Sequence, residues 1–325
     1  MLAIRCTTVG RLEDLELEQV VAPPLYPGCV RIAVEACGLN YVDALFVEGS
    51  YQIKPEPPFT PGSEVAGTII EVASDVESHK IGDRVLASPG LGGFAEQVVI
   101  AARAVATIPE SMSAGAAATL TQSFSTALFA LRERARLQPG ERVLVLGGGG
   151  GVGHAAIQVA RALGAEVVAT ASTKEKAAHA SAAGAGLILN ADPAMLRQEI
   201  KSQIPEGFDI VVDPVGDAWS EPALRSLREF GRLLVIGFAG GEIPRIASNL
   251  VLLRNRAVIG VDWGSWSIQN PVSQVELLAE VLALAEAGTI APPEPVLYPL
   301  ADATTALIDL RSRRVVGKAA LSTAP

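Results

Sequence analysis

The residues most suited to chemistry form a glycine-rich segment in the middle of the chain. The apolar run 143–146 reads as a β-strand, and five consecutive glycines follow it directly. The spacing Gly-x-Gly-x-x-Gly is typical of a dinucleotide-binding turn, where the backbone must turn sharply and approach a pyrophosphate without a Cβ in the way. A helix predicted to open at His154 would offer unpaired N–H groups and its dipole to that anion. The alternative is a turn whose glycines serve only close packing. The residues expected to line the turn are Gly148, Gly150, Gly151, Val152 and Gly153.

The segment after the second predicted strand bears on which dinucleotide would bind. NAD sites usually place Asp or Glu there, about 20 residues after the glycines, to hold the ribose 2′-hydroxyl. This chain has Ser172 and Thr173 instead, followed by two lysines. The hydroxyls can donate to a 2′-phosphate and a lysine can pair with it, each contact being worth roughly 1.5–3 kcal/mol. We therefore predict NADPH as the cofactor; an N-cap role for Ser172 or Thr173 is compatible with this contact.

Composition narrows the class of protein. The chain has 325 residues, 49% of them hydrophobic, and a formal net charge of -9 from 26 basic and 35 acidic side chains. The acidic excess argues against a nucleic-acid-binding surface. Residues 1–117 hold 15 acidic and 7 basic side chains, whereas residues 118–262 are nearly balanced and are the part least hostile to a phosphorylated ligand.

Cysteine content and apolar patterning indicate the compartment. Three cysteines are too few for a disulfide framework and suit a reducing environment. The N-terminal residues lack the apolar stretch of a signal peptide, and no apolar run approaches the roughly 20 residues that cross a bilayer. We expect a cytoplasmic protein that binds neither membrane nor nucleic acid.

Two patterns of predicted strands and helices indicate two kinds of domain. The first hundred residues read as short strands between Gly and Pro turns, which is typical of a β-rich barrel or sandwich. From about Ser113, helices alternate with nearly all-apolar strands, including a helix predicted over 222–229. This alternation predicts a parallel sheet covered on both faces.

Eight segments, in order, carry a resemblance to a known family: ACGLNYVDALFVEGSY, PFTPGSEVAGTI, GDRVLA, GGFAEQVVI, GGGGGVGHAAIQVAR, FDIVVDPVG, FGRLLVIGFAGG and RRVVGKAAL. The chain resembles the zinc-independent medium-chain dehydrogenase/reductases, specifically the zeta-crystallin-like NADPH:quinone oxidoreductases. The resemblance implies an α/β fold, in which a Rossmann doubly wound parallel sheet (118–262) is inserted in a β-rich GroES-like catalytic domain (1–117 and 263–325). It also implies a homodimer.

The same resemblance locates the positions of a metal site in zinc-dependent relatives. Those relatives place a Cys ligand where this chain has Asn40, and a His ligand where it has Ser63, just before Glu64. A catalytic zinc needs about three protein ligands. The three histidines of the chain stand at no ligand spacing to a Cys or Glu, so we expect no metal.

The expected absence of a metal bears on the reaction. Without a Lewis acid, nothing of that kind stabilises the alkoxide when a simple alcohol is oxidised. Quinones and enones, in contrast, accept hydride readily because the incoming charge delocalises onto oxygen. The expected activity is NADPH-dependent quinone reduction by direct hydride transfer, with the protein supplying alignment and a hydrogen-bond donor. Matching to the family makes Asn40 and Tyr51 the candidate catalytic donors and places Tyr41, Leu45 and Ser63 in the substrate pocket.

Matching to the family also assigns the remaining cofactor contacts. Ser125 and Thr126 correspond to positions at the nicotinamide end, and Phe238 to a position beside the nicotinamide ribose and amide. Lys176 corresponds to a lysine on the 2′-phosphate. Arg313 corresponds to an arginine that reaches the same phosphate, although two neighbouring arginines leave the register open.

Two other functions fit these residues. The first is an NADPH-dependent reductase of α,β-unsaturated ketones or aldehydes, because Leu45 and Val47 replace a Tyr and an Arg often found at these family positions and make the pocket more apolar. The second is a protein that binds NADPH and catalyses little.

Overall fold

The computed structural model describes residues 1–190 and 192–323, which form two compact units. The first unit joins Met1–Gln122 to the residues from Pro292 onward, and the second is Ser123–Ala291. Both domain boundaries expected from the sequence therefore need correction: residues 118–122 belong to the first unit, and residues 263–291 belong to the second.

Side-chain contacts explain these corrections. The backbone N–H of Gln122 donates to the buried Glu64 carboxylate at 2.9 Å, which ties the end of the first segment to its own unit. In the second unit the ring of Trp266 packs on that of Phe129, with 4.6 Å between centroids. Arg132 forms an ion pair with Glu280. Residues 263–291 thus pack on the second unit.

The elements follow one another as the sequence pattern suggests. The N-terminal part of the first unit holds β1 (Leu2–Cys6), β2 (Leu15–Gln19), β3 (Cys29–Gly38), α1 (Tyr41–Glu48), β4 (Glu64–Val72), β5 (Arg84–Ala87), β6 (Gln97–Ala101), β7 (Val105–Thr107) and α2 (Ala114–Ala118). The second unit holds α3 (Thr126–Leu128), β8 (Arg142–Val145), α4 (Gly151–Ala162), β9 (Glu166–Ala171), α5 (Lys174–Ala182), β10 (Leu187–Asn190), α6 (Pro193–Gln203), β11 (Phe208–Asp213), α7 (Ser220–Ser226), β12 (Leu227–Val235), α8 (Ser248–Leu252), β13 (Ala257–Gly260), α9 (Trp263–Gln269) and α10 (Pro271–Glu286). The chain returns to the first unit with β14 (Val296–Pro299), α11 (Ala303–Arg311) and β15 (Ala319–Ser322).

The sheet of the first unit brings distant parts of the sequence together. Its described strands run in the order β14-β15-β3-β4-β5-β7, with β6 also paired to β3. Alternate residues of β3, such as Val30 and Ile32, are fully buried because successive side chains of a strand point to opposite faces. The register aligns Gly38, at the end of β3, with Glu64 on one side and with Ala320 on the other. The start of β4 and the start of β15 therefore flank the end of β3.

The sheet of the second unit confirms the predicted Rossmann fold. Within the described residues its strands pair in parallel in the order β10-β9-β8-β11-β12-β13. The order reverses next to β8, and ligands of such sheets bind beyond the carboxyl ends of the strands at that switch point. The glycine-rich turn follows β8 directly, so the fold places it there.

Local details of the second unit differ from the sequence prediction. The predicted helix over 222–229 ends at Ser226, and β12 begins at Leu227. Leu227 pairs with Phe208 of β11, and both side chains are fully buried, so pairing with the sheet outweighs helix propensity here. β10 and α6 were not predicted. None of the described helices is both long and apolar enough to cross a membrane.

Candidate functional site

Asn40 and Ser63, the two residues predicted to replace metal ligands, lie in a buried polar group of the first unit. Asn40, Asp43, Ser63, Glu64 and Lys318, called here the Asn40 cluster, come from the start of α1, the start of β4 and the start of β15. Asn40 is the N-cap of α1, and its backbone N–H donates to Asp43 Oδ2 at 2.8 Å. This reciprocal cap fixes where the helix begins. All members except Asn40, which is half-buried, are buried.

The ammonium of Lys318 is the centre of the cluster. Its Nζ donates to Asn40 Oδ1 at 2.6 Å, to Glu64 Oε1 at 3.0 Å and to the carbonyl oxygen of Leu39 at 3.1 Å. An ammonium has three N–H donors, so these contacts use its full capacity. Lys318 was missed at the sequence level; the signal was a lysine directly before the buried run Ala319–Leu321.

The carboxamide of Asn40 and the carboxylate of Glu64 complete the network. Asn40 Nδ2 donates to Glu64 Oε1 at 2.8 Å and to Ser63 Oγ at 3.3 Å. Glu64 Oε2 accepts the N–H of Gln122. A buried carboxylate needs such pairing to remain charged. The network therefore surrounds the ion pair of Glu64 and Lys318 with hydrogen bonds.

Asp43 is the titratable group of the cluster that lacks a cation of its own. Burial raises its pKa from 3.8 to about 7, although the N–H of Asn40 opposes the rise. Its Oδ1 has no hydrogen-bond partner among the described residues. Burial also raises the pKa of the neighbouring Cys37 thiol well above its usual value. The cluster thus holds one firm ion pair and one carboxyl that titrates near neutral pH.

The other substrate-pocket candidates lie around α1. Arg311 stands 4.5 Å above the ring centre of Tyr41 and forms an ion pair with Glu48. The Tyr51 ring packs edge-on against Phe46, with 5.1 Å between centroids. Leu45 is half-buried. Val47, however, is fully buried in the hydrophobic core, so the expectation that it makes a pocket more apolar is wrong.

The glycine-rich turn of the second unit is held by β9. Gly147, with φ +65°, donates its N–H to Thr170 Oγ1 at 3.0 Å, and the N–H of Gly148 donates to the Thr170 carbonyl at 2.9 Å. A Cβ on Gly148 would stand 2.8 Å from Ala169 Cβ, and one on Gly153 would stand 2.2 Å from Gly147 O. Gly148 and Gly153 are therefore required by close packing within the turn.

Gly150 differs from these two. Its φ of -98° suits any residue, and a Cβ there would meet only Gly147 O, at 3.5 Å. Among the described residues, no close contact requires a glycine at this position. The missing Cβ at the start of α4 leaves the room that a pyrophosphate would need there. Gly151 and Val152 open the helix beside it.

The residues after β9 are arranged around the start of α5. Ser172 is exposed, and Thr173 is the N-cap, with its Oγ1 accepting the N–H of Lys176 at 3.2 Å. Lys176 packs its stem against Gly149. Glu175 lies on the same turn, and hydrogen bonds from its own backbone N–H and from Thr173 lower the pKa of its carboxyl. The Thr173 hydroxyl is thus engaged locally, while Ser172 and Lys176 flank the end of β9.

The nicotinamide-end candidates include two buried hydroxyls. Ser125 lies at the end of the π-helical segment Thr121–Ser125, and Thr126 follows it. The hydroxyls of Ser123 and Ser125 are buried and meet no hydrogen-bond partner in the described part of the chain. Unpaired buried hydroxyls are unusual and π-turns are frequent at functional sites. Ser123 was not singled out from the sequence.

A buried carboxylate organises the loop that faces Phe238. Asp213, at the end of β11, accepts the N–H groups of Val215 and Gly216 and the hydroxyl of Ser220 at 2.6 Å. Gly216 has φ +69°, and a Cβ there would stand 2.8 Å from Phe238 Cδ1. The half-buried Phe238 therefore packs directly over this loop.

The three arginines near the C-terminal end differ in their engagement. Arg311 pairs with Glu48, and Arg314 pairs with Asp309 at 2.5 Å. Arg313 is exposed, with φ +58°.

Two stacked imidazoles lie behind the glycine-rich turn. The rings of His154 on α4 and His179 on α5 are 4.1 Å apart at their centroids. Gln158 Oε1 accepts the N–H of Ala291, so its Nε2 donates to the Ala291 carbonyl and to His154 Nε2. That nitrogen must then be unprotonated. Burial, and the adjacent His179, lower the pKa of His154 to about 4.

The described residues contain no group of three or more His, Cys, Asp or Glu side chains placed to hold a metal ion. What the two units do provide is a dinucleotide turn on a Rossmann sheet and a buried polar cluster on a β-rich unit. Together they define a nucleotide-dependent dehydrogenase or reductase of the alcohol dehydrogenase type.

Comparison with known proteins specifies the family. A model described as "Alcohol dehydrogenase GroES-like domain" matches residues 26–110, and one described as "Zinc-binding dehydrogenase" matches residues 151–280. The chain is 38% identical over 322 residues to quinone oxidoreductase-like protein 2 of Bos taurus, covering 98% of this chain and 92% of the relative. It belongs to the quinone oxidoreductase-like family of medium-chain dehydrogenase/reductases.

Solved structures agree with this placement. The Escherichia coli quinone oxidoreductase complexed with NADPH has a TM-score of 0.89 and 27% identity, covering 99% of this chain and 100% of that one. The CurK enoyl reductase has a TM-score of 0.88 and 27% identity, covering 99% and 98%. The protein is therefore an oxidoreductase by family.

Proposed function

We propose that the protein is an NADPH-dependent quinone reductase that works without a metal ion. The observation that carries the proposal is the Lys318 ammonium, which lies between Asn40 and Glu64, beside the positions that supply zinc ligands in zinc-dependent relatives. A divalent cation placed against the same oxygens would face a buried positive charge. The match to a model described as zinc-binding concerns residues of the second unit, not this cluster.

The residues of the second unit fit a phosphorylated dinucleotide. The N-terminus of α4 would hold the pyrophosphate beside Gly150, and Ser172 and Lys176 would contact the 2′-phosphate, in keeping with the NADPH complex of the E. coli structure. Ser125, Thr126 and Phe238 would contact the nicotinamide end, and Arg313 is a further candidate for the phosphate. When bound, NADPH supplies the hydride.

The first unit would orient the acceptor. The Asn40 carboxamide and the Ser63 hydroxyl would form the polar end of the substrate pocket. The contact from Asn40 Nδ2 to Ser63 Oγ is long, at 3.3 Å, so this N–H can turn toward a substrate oxygen. Tyr41, Leu45 and Tyr51 would provide apolar and aromatic surface. These residues supply alignment and a hydrogen bond as charge develops on the acceptor oxygen, which is the role left to a protein when the acceptor is already electron-poor.

The test is NADPH oxidation by purified protein with 1,4-benzoquinone and naphthoquinones, alongside measurement of bound zinc by elemental analysis. We expect quinone turnover with far less than one zinc per chain and a preference for NADPH over NADH. Stoichiometric zinc, or strong preference for NADH, would overturn the proposal.

Reduction of α,β-unsaturated ketones or aldehydes is the second candidate. The structural similarity to the CurK enoyl reductase and the apolar Leu45 favour it. Alkenals in the same assay distinguish the two: turnover of enones alone replaces the quinone assignment. Tight NADPH binding without turnover of either class indicates a binding protein instead.

We also propose a homodimer through β13. In the described part of the second unit this strand ends the sheet, and Leu252, Leu253 and Val258 near it are exposed. Exposed apolar groups at an unpaired strand edge favour pairing with another chain. Light scattering should give twice the chain mass, and Val258→Asp should reduce it to the monomer value.

A further inference from the structure

The Asn40 carboxamide has two conceivable orientations, and its neighbours select one. With Oδ1 toward Lys318, the ammonium donates to it at 2.6 Å, while Nδ2 donates to Glu64 at 2.8 Å. A flipped carboxamide would set N–H against the ammonium and oxygen against the carboxylate. Both contacts would then be repulsive. Lys318 and Glu64 therefore each favour the same orientation of the Asn40 carboxamide.

We propose that Lys318 is a positioning residue for the reaction. Its ammonium holds the Asn40 carboxamide with Oδ1 inward and Nδ2 outward to Ser63, so that an N–H faces the acceptor oxygen. The inference rests on the proposed function in one respect only, which is that Asn40 contacts the acceptor. Nothing requires Lys318 itself to touch substrate or cofactor.

The competing explanation is that Lys318 only stabilises the fold. Variants that remove one or both charges of the ion pair distinguish this structural role from a positioning role. Lys318→Met leaves Glu64 as a buried carboxylate without its cation, so this variant is expected to be destabilised and to lose activity for either reason. The double variant Lys318→Met/Glu64→Gln removes both charges together. It should recover thermal stability, because residue 64 no longer carries a buried charge without its cation.

The double variant should not recover catalysis. The carboxamide introduced by Glu64→Gln can present either its oxygen or its NH2 group to Asn40, so it does not select an orientation of the Asn40 carboxamide. We expect kcat with naphthoquinone to remain about 100-fold below wild type, since misplacement by about 1 Å can have that effect. The dissociation constant for NADPH should stay within about twofold. The matched control is Lys80→Met, an exposed lysine of the same unit, which should change neither quantity.

The Asn40 side chain itself can be observed without turnover. The chain has five asparagines, so selective 15N-asparagine labelling yields at most five side-chain amide pairs, and Asn40→Asp identifies the pair of Asn40. In wild type that pair should be shifted and slow to exchange. In the double variant it should lose both properties.

Each outcome decides the proposal. Recovery of both stability and kcat in the double variant overturns it, as does an Asn40 amide pair that is unchanged from wild type. Retained stability with low kcat and an altered amide pair supports it. If wild type turns over no quinone or enone, the proposed function fails, and the amide spectrum alone still decides whether Lys318 positions Asn40.

Discussion

The Asn40 cluster and the glycine-rich turn are built from different chemical groups. The cluster uses buried ionisable side chains, with the ammonium of Lys318 fully engaged by three oxygens. The turn uses backbone N–H groups and glycines without side chains. The adjacent His154 is buried, and its burial favours the neutral imidazole. The stability of a charged cluster should depend on pH and on the presence of each charged partner. The stability and ligand binding of a glycine-rich turn should depend on whether a side chain is introduced. This difference shows which perturbation each region should tolerate.

The largest effect should come from Asp43→Asn. The folded-state pKa of Asp43 is raised from 3.8 to about 7, so the native state binds the extra proton between these values. The stability from that proton is fully present below about pH 4 and is lost as pH rises through 7. About three pKa units correspond to roughly 4 kcal/mol. In urea unfolding, the stability of wild type minus that of Asp43→Asn should fall by this amount between pH 4 and pH 8.

The exposed Asp302→Asn serves as the matched control for Asp43→Asn and should leave the wild-type pH dependence unchanged. Parallel curves for wild type and Asp43→Asn would show that the carboxyl of Asp43 is not buried as described.

The second effect has the opposite sign and belongs to the other unit. The pKa of His154 is lowered from 6.5 to about 4, so the unfolded chain takes up the proton first as pH falls. The stability from neutral His154 is present above about pH 6.5 and is lost as pH falls through 4, by up to about 3 kcal/mol. His154→Gln keeps an acceptor for Gln158, and the stability of wild type minus that of this variant should rise by this amount between pH 4 and pH 6.5. A variant that loses stability equally at all pH values would contradict this assignment.

The third prediction compares two glycines of the turn. Gly150→Ala should fold with unchanged thermal stability but bind NADPH about 100-fold more weakly, because its Cβ finds room only where the pyrophosphate would lie. Gly153→Ala should be destabilised by about 1–3 kcal/mol, since its Cβ meets a backbone oxygen. Fluorescence titration and thermal unfolding separate the two effects. Equal behaviour of the two variants would remove the distinction between ligand room and packing.

The smallest effect should come from Lys176→Ala. Loss of one charge-assisted contact to the 2′-phosphate should weaken NADPH binding about tenfold. NADH binding should not change, because NADH lacks that phosphate. Lys174→Ala, an exposed neighbour, is the matched control. If Lys174→Ala alone reduces NADPH affinity, the 2′-phosphate contact belongs to Lys174 instead.

Local patterns were enough to predict the second unit in outline. Apolar strands alternating with helices, and glycines at fixed spacing after a strand, determine a Rossmann sheet and its phosphate turn because both depend on contacts close in sequence. β10 and the boundary between α7 and β12 were not predicted, because pairing with strands elsewhere in the sheet decides them. The placement of residues 263–291 likewise depends on contacts such as that of Trp266 with Phe129.

The sequence by itself determined the residue types of the candidate site: Asn40 and Ser63 where zinc-dependent relatives have ligands, glycines after β8, and hydroxyls after β9. Only the tertiary structure decided that Lys318, 278 residues from Asn40, is the cation that orients it, and that Val47 belongs to the core. The physical reason is that strand register joins β3, β4 and β15 at one point. Burial and charge pairing then depend on neighbours that no local pattern specifies.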